Sequence, residues 1–353
     1  MDSGVMKMRD FMQEPPGRMF TENNLTHPYY IVTHAYTRKS AGIRVLHFLC
    51  NALNSLGYRA SLVIHPQFTF TSPASPFLNT PVLTRTQLNS DYQMGLTPIT
   101  IYPEMIGANL FNAPVAFEYL LNFKGLLGGA SIKSTMPQIA YSEQIRRKSP
   151  GCDITLFIPT SDPRVFHPPE NNVKRHGVYF YAAKYQSIFG KITDLPEQEM
   201  IEILRSGPMA QTTEDLIKIY KSAERIYVYE NTAVATEAAM CGCPVIFMPS
   251  DFLDSNITEF ELGTYGMAWG NSSNEVKIAY ETVERFYRSY IDTYNLSLNQ
   301  LEMFIKHSQH IASQTPYNRI MKIPQIDISN QAMLILDNTY GILQKIIYKF
   351  LKK

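Results

Sequence analysis

The sequence has few cysteines and no cysteine pair at the spacing of a metal or redox site. There are four in 353 residues, and Cys241-Gly242-Cys243 is C-x-C rather than C-x-x-C. We therefore expect reduced thiols, with neither a disulfide framework nor a zinc site. Long apolar runs are also missing, so we expect no membrane-spanning helix. The first 17 residues have no apolar core, so we expect no secretory signal there.

A strong charge of either sign is absent as well. The formal net charge is +1, which gives no overall attraction for nucleic acid, so we expect no nucleic-acid partner. What the sequence does have is hydrophobic residues, at 45%, enough to build a sizeable core in a chain of this length. We predict an N-terminal domain over residues 1–160, a C-terminal domain over 161–320 and a helical segment over 321–353.

The N-terminal domain begins with the pattern of a βαβ unit. Residues 29–34 (YYIVTH) predict a strand, residues 40–56 an amphipathic helix that ends at Gly57, and residues up to 64 a second, parallel strand. The turn before the helix consists of the small residues Ser40, Ala41 and Gly42, which would let a ligand approach the backbone closely.

Further along the chain the alternation of strands and helices resumes twice. After a polar, proline-rich passage we predict a strand at 97–104 and a helix within 111–130. A proline-rich linker near 160 precedes strands at 178–184 and 200–205 and a helix at 212–224. The chain is then predicted to be mostly helical from about residue 275. The predicted fold class is α/β, with two Rossmann-like domains facing each other across a cleft and a helical C-terminal segment.

Two glutamates lie in a segment whose other residues are mostly apolar or small, as is typical of a protein interior. In residues 225–249, RIYVYENTAVATEAAMCGCPVIFMP, a strand precedes Glu230 and a short helix carries Glu237 among alanines. A buried carboxylate needs partners, and its two oxygens match the adjacent hydroxyls of a ribose. The alternative is that Glu230 favours a helix dipole and Glu237 pairs with a lysine on a solvated face.

This segment resembles the donor-binding motif of GT-B glycosyltransferases, particularly those of family 4 that assemble bacterial surface polysaccharides. The similar portion is EA…CGCPV, and the chain has E-x6-E where that family usually has E-x7-E. The resemblance implies that Glu237 binds the nucleotide ribose, that Glu230 lies near the donor sugar, and that Asn231 and Thr232 lie beside the diphosphate. It implies that Lys184 contacts the diphosphate too, and Arg205 is the second basic candidate.

The remaining site residues are predicted from their places at strand ends. Glu104 ends one strand and is our candidate general base, with His34 as the alternative and Glu230 as a further catalytic candidate. Each also has a purely structural interpretation, as a surface carboxylate or a structural histidine. No convincing pair of metal-binding carboxylates is present, so we expect a metal-independent reaction that needs no cofactor beyond the nucleotide sugar.

The C-terminal residues 340–353 form an amphipathic pattern with lysines on one side. This pattern fits a helix on an anionic membrane surface or a last helix packed on the N-terminal domain. Together these features predict a hexosyl- or deoxyhexosyltransferase that uses a UDP-, GDP- or dTDP-linked sugar and a glycan or lipid-linked acceptor. We expect it in the cytoplasm, with the inner face of the membrane as the alternative. Two other functions remain open, a nucleotide-sugar 2-epimerase and a non-catalytic protein that binds a glycan or a partner.

Overall fold

The structure is a computed structural model that describes residues 26–65, 73–123, 125–126, 134–171 and 173–324. Its residues fall into two compact units. One unit holds the described residues up to Ile139 and those from Glu302 onward, and the other holds Ala140–Leu301. The chain passes from one unit to the other after Ile139 and after Leu301. Both points come earlier in the chain than the boundaries predicted at residues 160 and 320.

The first sheet has six strands. In chain order they are β1 (Tyr29–Thr33), β2 (Ala60–Ile64), β3 (Ile99–Pro103), β4 (Val115–Leu120), β5 (Gln138–Ala140) and β6 (Ile154–Thr155). Their order in the sheet is β2-β1-β3-β4-β5-β6, and the β1–β2, β1–β3 and β3–β4 pairs are parallel. Because the chain leaves β2 and returns on the other side of β1, the strand order reverses between β1 and β3. Ligands of open α/β sheets bind at the carboxyl ends of strands at such a reversal.

The predicted βαβ unit is confirmed. Helix α1 (Ala41–Ser55) begins after Ser40, whose hydroxyl accepts a hydrogen bond from the Ile43 amide at 3.4 Å. Gly57 has a φ of +87°, a left-handed conformation that glycine adopts without strain at the end of a helix. One turn inside that end, the Asn54 side chain forms two hydrogen bonds with the backbone of Ala60, which fixes the start of β2.

The helix predicted within 111–130 is wrong, because residues Val115–Leu120 form β4. Phe117, Tyr119 and Leu120 are fully buried there. A short apolar run of this kind fits a buried parallel strand and a buried helix equally well, and periodicity does not separate the two. Two helices in this part of the chain went unpredicted, α2 (Arg85–Gln93), in the passage interpreted as polar and proline-rich, and α3 (Glu143–Arg147).

The second sheet has five strands, all in parallel pairs. In chain order they are β7 (Val178–Tyr181), β8 (Ile201–Glu202), β9 (Arg225–Val228), β10 (Val245–Phe247) and β11 (Met267–Trp269). The sheet order is β11-β10-β9-β7-β8, so the strand order reverses between β7 and β9. The two parallel α/β sheets confirm the predicted fold class.

Five helices connect these strands or follow them. They are α4 (Ala183–Phe189), α5 (Thr213–Ser222), α6 (Ala233–Met240), α7 (Glu259–Leu262) and α8 (Ser273–Thr282). The strand predicted at 178–184 therefore ends at Tyr181, and its last residues belong to α4. The strand predicted at 200–205 is confirmed only for the two residues of β8.

Helices α5 and α6 pack together on one face of the second sheet, and one arginine joins their C-terminal ends. The Arg175 guanidinium donates hydrogen bonds to the carbonyl oxygens of Ala223 at 3.0 Å and Cys241 at 3.2 Å. A third bond reaches the Tyr220 carbonyl at 3.3 Å. Carbonyl groups at a helix C-terminus lack partners within the helix, and a guanidinium satisfies them with its several donors.

The long helix α9 (Phe286–Gln314) follows a 3₁₀ turn and confirms the helical prediction for the region after residue 275. The change from the second unit to the first falls within it, after Leu301. In the first unit the Gln309 side chain forms two hydrogen bonds with the backbone of His27, and Ser308 bonds the Tyr29 hydroxyl at 2.8 Å. These bonds hold the end of α9 against the start of β1.

Candidate functional site

The first group of site residues lies where the strand order of the second sheet reverses. Glu230 follows β9, and Lys184 follows the neighbouring strand β7. Although the Glu230 side chain is only 1% exposed, its Oε2 accepts hydrogen bonds from the backbone amides of Lys184, at 2.5 Å, and Tyr185, at 3.2 Å. The Lys184 ammonium lies 3.7 Å from the other carboxylate oxygen. Lys184 and Glu230, both predicted as site residues, therefore lie in contact with each other.

Burial raises the pKa of Glu230 above its ordinary value, because removal from water disfavours the charged form. The Lys184 ammonium and the two amides oppose that effect by stabilising the carboxylate. The Lys184 ammonium also donates a hydrogen bond to the Asn231 carbonyl at 3.2 Å. Its charge is thus held at the carboxyl edge of the sheet, while the side chain remains 39% exposed and accessible to a ligand.

A second pair of a cation and a carboxylate lies nearby, formed by Arg205 and Glu237. Arg205 follows the edge strand β8, and its Nη1 is 3.7 Å from Oε2 of Glu237. Glu237 is 1% exposed and is flanked along α6 by alanines, whose short side chains leave room beside the carboxylate. Arg205 is 12% exposed, so the guanidinium lies between the buried carboxylate and solvent.

Two tyrosines that the sequence analysis did not single out surround this pair. Tyr181 ends β7, and its pKa is raised to about 12, first by burial and then by the negative charge of Glu230. Tyr220, on α5, is fully buried, and burial followed by the charge of Glu237 raises its pKa well above 10. The Tyr220 hydroxyl has no hydrogen-bond partner among the described residues. Tyr220 lies within the helix predicted at 212–224 and was not predicted as a site residue.

Asn231 and Thr232 lie between the two glutamates, and both side chains have local partners. The Asn231 amide donates to the Ser255 carbonyl at 3.0 Å and accepts from the Ile257 amide at 3.1 Å, so it holds the loop after β10. The Thr232 hydroxyl accepts from the Val234 amide at 3.2 Å and caps α6. Contact of either residue with a diphosphate stays a prediction.

In the first unit, the predicted small-residue turn lies at the start of α1. A Cβ on Gly42 would come within 3.3 Å of Leu121 Cδ1, so the helix start lies close to the end of β4. A side chain at position 42 would crowd Leu121, which is a packing reason for a glycine there. Donor binding by Ser40, Ala41 and Gly42 stays a prediction.

Glu104 follows β3, directly beside the end of β4. Its Oε2 accepts a hydrogen bond from the Leu121 amide at 3.1 Å. Burial raises the pKa of Glu104 to about 7, and the charge of Glu118 adds to the rise, while the amide bonds oppose it. A carboxyl group that ionises near neutral pH is well matched to taking up a proton from a hydroxyl.

His34 follows β1 on the other side of the strand reversal and is exposed. Its carbonyl accepts a hydrogen bond from Nε2 of the fully buried His47 at 3.0 Å. Burial lowers the pKa of His47, and it also lowers that of His65, which the neighbouring His34 lowers further. His34 and Glu104 thus follow adjacent strands of the first sheet, as predicted, and the choice between them as general base stays a prediction.

Two further predictions concern features of the chain as a whole. In the described ranges, no three His, Cys, Asp or Glu side chains are grouped closely enough to hold a metal ion. No helix in the part of the chain that the structure describes is long and apolar enough to cross a membrane. The amphipathic pattern at 340–353 lies outside the described residues.

No family model and no curated protein matches this chain. Among solved structures it is similar to AviGT4, a glycosyltransferase involved in avilamycin A biosynthesis, with 12% identity, a TM-score of 0.43 and coverage of 83% of this chain and 100% of the other. It is also similar to the trehalose-6-phosphate phosphatase N-terminal domain of Candida albicans, with 11% identity, a TM-score of 0.43 and coverage of 85% and 99%. A third match is an α-glucosyltransferase in complex with UDP and DNA, with 9% identity, a TM-score of 0.39 and coverage of 82% and 96%. Because all three TM-scores are below 0.5, these likenesses carry no argument about what the chain does.

Proposed function

We propose that this chain is a glycosyltransferase that moves a sugar from a nucleoside-diphosphate sugar to a hydroxyl of a glycan or lipid-linked acceptor. The observation that carries the proposal is the buried Arg205–Glu237 pair, which lies at the carboxyl edge of a parallel sheet together with Lys184 and Glu230. Open α/β sheets bind nucleotides at this edge. The segment that contains both glutamates is also the one that resembles the donor motif of GT-B enzymes.

The charges of the site suit the two ends of a nucleoside diphosphate. Two carboxylate oxygens of Glu237 match the two adjacent hydroxyls of a ribose. The Arg205 guanidinium and the Lys184 ammonium match the negative charge of the diphosphate, which grows when the sugar leaves. When a donor binds, we expect Arg205 to turn toward the phosphates and Glu237 to accept the ribose hydroxyls.

The proposed reaction breaks the bond between the anomeric carbon of the sugar and the diphosphate oxygen. A bond forms from that carbon to the acceptor oxygen, and the nucleoside diphosphate departs with the electron pair. The acceptor hydroxyl gives up its proton, and Glu104 is the proposed base because its pKa lies near 7. Fixed cations provide the charge stabilisation in this proposal, without a metal ion. The finer proposal, also based on the motif, is a role in assembling bacterial surface polysaccharide.

Calorimetric titration with UDP, GDP, CMP and dTDP tests the donor site. We expect one of the diphosphates to bind, and Glu237→Gln and Arg205→Met each to weaken it at least about tenfold, because each removes one charged partner. Glu261→Gln is the matched control, since Glu261 is a buried carboxylate of the same unit that accepts a hydrogen bond from the Glu143 amide at 2.7 Å. If no nucleotide binds, or if the control weakens binding as much, the donor site is not where we propose it.

A non-catalytic protein of the same fold is the second candidate function. One observation favours it: Oε2 of Glu230 already accepts hydrogen bonds from two backbone amides, so this oxygen serves the fold. Turnover separates the candidates. Release of nucleoside diphosphate from a bound donor sugar, with or without acceptor, would exclude a pure binding protein. Donor binding without release in the presence of a broad set of acceptors would favour it.

A further inference from the structure

Helix α4 has no cap of its own. Its N-cap residue is Ala182, which has no side-chain acceptor, and no acidic residue occupies the first turn. The first amides of every helix lack partners within the helix, and where water does not reach them another group has to accept their hydrogen bonds. The start of α4 therefore depends on a partner from elsewhere in the fold.

Glu230 is that partner, and it comes from a strand more than forty residues away in the sequence. One of its oxygens accepts from the second and third amides of α4, those of Lys184 at 2.5 Å and Tyr185 at 3.2 Å. A carboxylate at this position also interacts favourably with the positive end of the helix dipole. Such charge-assisted bonds are stronger than those between neutral groups.

The same short segment also holds the Lys184 side chain. The ammonium lies 3.7 Å from the second oxygen of Glu230 and 3.2 Å from the carbonyl of Asn231. Backbone and side chain of Lys184 are thus both bound to residues 230 and 231. The position of the ammonium at the sheet edge follows from the position of the carboxylate.

Little else holds α4 in place. None of its residues is buried, and Ile188 and Phe189 are more than half exposed. The remaining contacts include a hydrogen bond from the Gln186 side-chain amide to the Glu202 carboxylate at 2.6 Å. They also include ring contacts, in which Tyr185 packs on Tyr229 with centroids 5.7 Å apart and Phe189 packs on Phe252 at 5.8 Å. A helix of two turns with so little burial has low stability by itself, so the cap contributes a large share of it.

We propose that Glu230 is a positioning residue, which caps α4 from the end of β9 and thereby holds the Lys184 ammonium at the carboxyl edge of the second sheet. Glu230 acts through Lys184 in this proposal, because its Oε2 accepts from both amides and its Oε1 lies 3.7 Å from the Lys184 ammonium. The cap itself stands independently, whereas the consequence for donor binding rests on the proposed function.

The test compares Glu230→Ala and Glu230→Gln in the full chain by amide hydrogen exchange without ligand. We expect Glu230→Ala to speed exchange of the Lys184 and Tyr185 amides at least about tenfold, because a charged acceptor is lost. In Glu230→Gln the side-chain carbonyl oxygen still accepts, so the rates should stay within about threefold of wild type. Unchanged exchange in Glu230→Ala, with the fold intact by circular dichroism, would overturn the proposal.

Nucleotide titrations then separate a positioning role from a sugar contact. Glu230→Ala should weaken a nucleoside diphosphate and the corresponding nucleotide sugar by the same factor. Lys184→Met is the matched variant: it should reproduce that loss while leaving the amide exchange of α4 unchanged. Weakening of the nucleotide sugar alone would show a sugar contact and overturn the proposal. If exchange confirms the cap but wild type binds no nucleotide, the cap stands and the proposed function fails.

Discussion

The carboxyl edges of the two sheets share a reversal of strand order but differ in the charges beside their glutamates. Both strand orders reverse beside their first strand. In the second sheet, Glu230 and Glu237 each have a cation 3.7 Å away. In the first sheet, Glu104 has the Leu121 amide as its partner and Glu118 as a like-charged neighbour, and its pKa is about 7. Two sheet edges of the same topology thus differ in the neighbours of their glutamates, which are cations in the second sheet and an amide and a second carboxylate in the first.

The largest expected effect comes from removing the proposed general base, Glu104. Glu104→Gln should lower the rate of sugar transfer about 10² to 10⁴-fold while leaving nucleotide affinity unchanged, because a glutamine cannot take up the proton. In wild type, kcat/KM should rise as the pH increases through about 7, where Glu104 ionises. Steady-state rates over a range of pH check both expectations. A rate profile unchanged by the substitution would point to His34 as the base.

The raised pKa of Glu104 should also make the free energy of unfolding depend on pH. Since the pKa of Glu104 is raised from 4.5 to about 7 in the folded state, the folded protein holds more protons than the unfolded chain between these values. The free energy of unfolding should therefore fall as the pH rises from about 4.5 to 7, by at most about 3 kcal/mol. Urea unfolding of wild type and Glu104→Gln checks this, and the variant should show the shallower dependence.

Glu261, whose pKa burial also raises to about 7, should add a similar fall in both proteins. The double variant Glu104→Gln, Glu261→Gln therefore serves as the control. If Glu104→Gln alone does not flatten the curve, Glu104 is ionised in the folded protein well below pH 7.

Removing a cation from the edge of the second sheet should leave a buried carboxylate there without its charged partner. Arg205→Met leaves Glu237 buried without its guanidinium, and we expect a loss of about 2 kcal/mol at neutral pH. Thermal unfolding measures this loss, with Arg288→Met on the exposed face of α9 as the control. A loss no larger than that of the control would mean that the fold does not depend on the guanidinium beside Glu237.

The smallest expected effect concerns the buried hydroxyl of Tyr220. It has no hydrogen-bond partner among the described residues and lies near Glu237, so Tyr220→Phe should raise the free energy of unfolding by about 1 kcal/mol. Chemical denaturation measures this change. A destabilised variant would show that the hydroxyl does have a partner in solution, and Glu237 would be the first to test.

Where local signals were strong, the sequence predicted the fold. Ser40 before α1, Gly57 after it and the leucines at helical spacing define the first βαβ unit without help from the rest of the chain. The helix predicted at 212–224 and the strand, helix and strand predicted within 225–249 were found in the same way. The strand β4 was missed because Val115–Leu120 is mostly apolar on both faces, apart from Glu118, and such a run suits a buried strand or a buried helix.

In the candidate site, local sequence predicted the positions of residues but not their partners. Lys184, Glu230 and Glu237 were singled out by the resemblance to the GT-B donor motif together with their places in the predicted elements, and Arg205 by its place after a predicted strand. The cap that Glu230 provides for α4 was not predictable, because the two are joined only by the pairing of β7 with β9. Tyr220 was missed because a tyrosine at a core position gives no sign of the carboxylate it faces.

The Arg175 guanidinium has a consequence for how the second unit opens. Since one side chain bonds the C-terminal carbonyls of both α5 and α6, neither helix can unravel from that end without breaking bonds that also hold the other. A lysine has no planar fork to span the two ends. The two helices should therefore open as one cooperative segment, with the same free energy of local opening for their last turns. The helix that carries Glu237 thus shares its local stability with the helix that carries Tyr220.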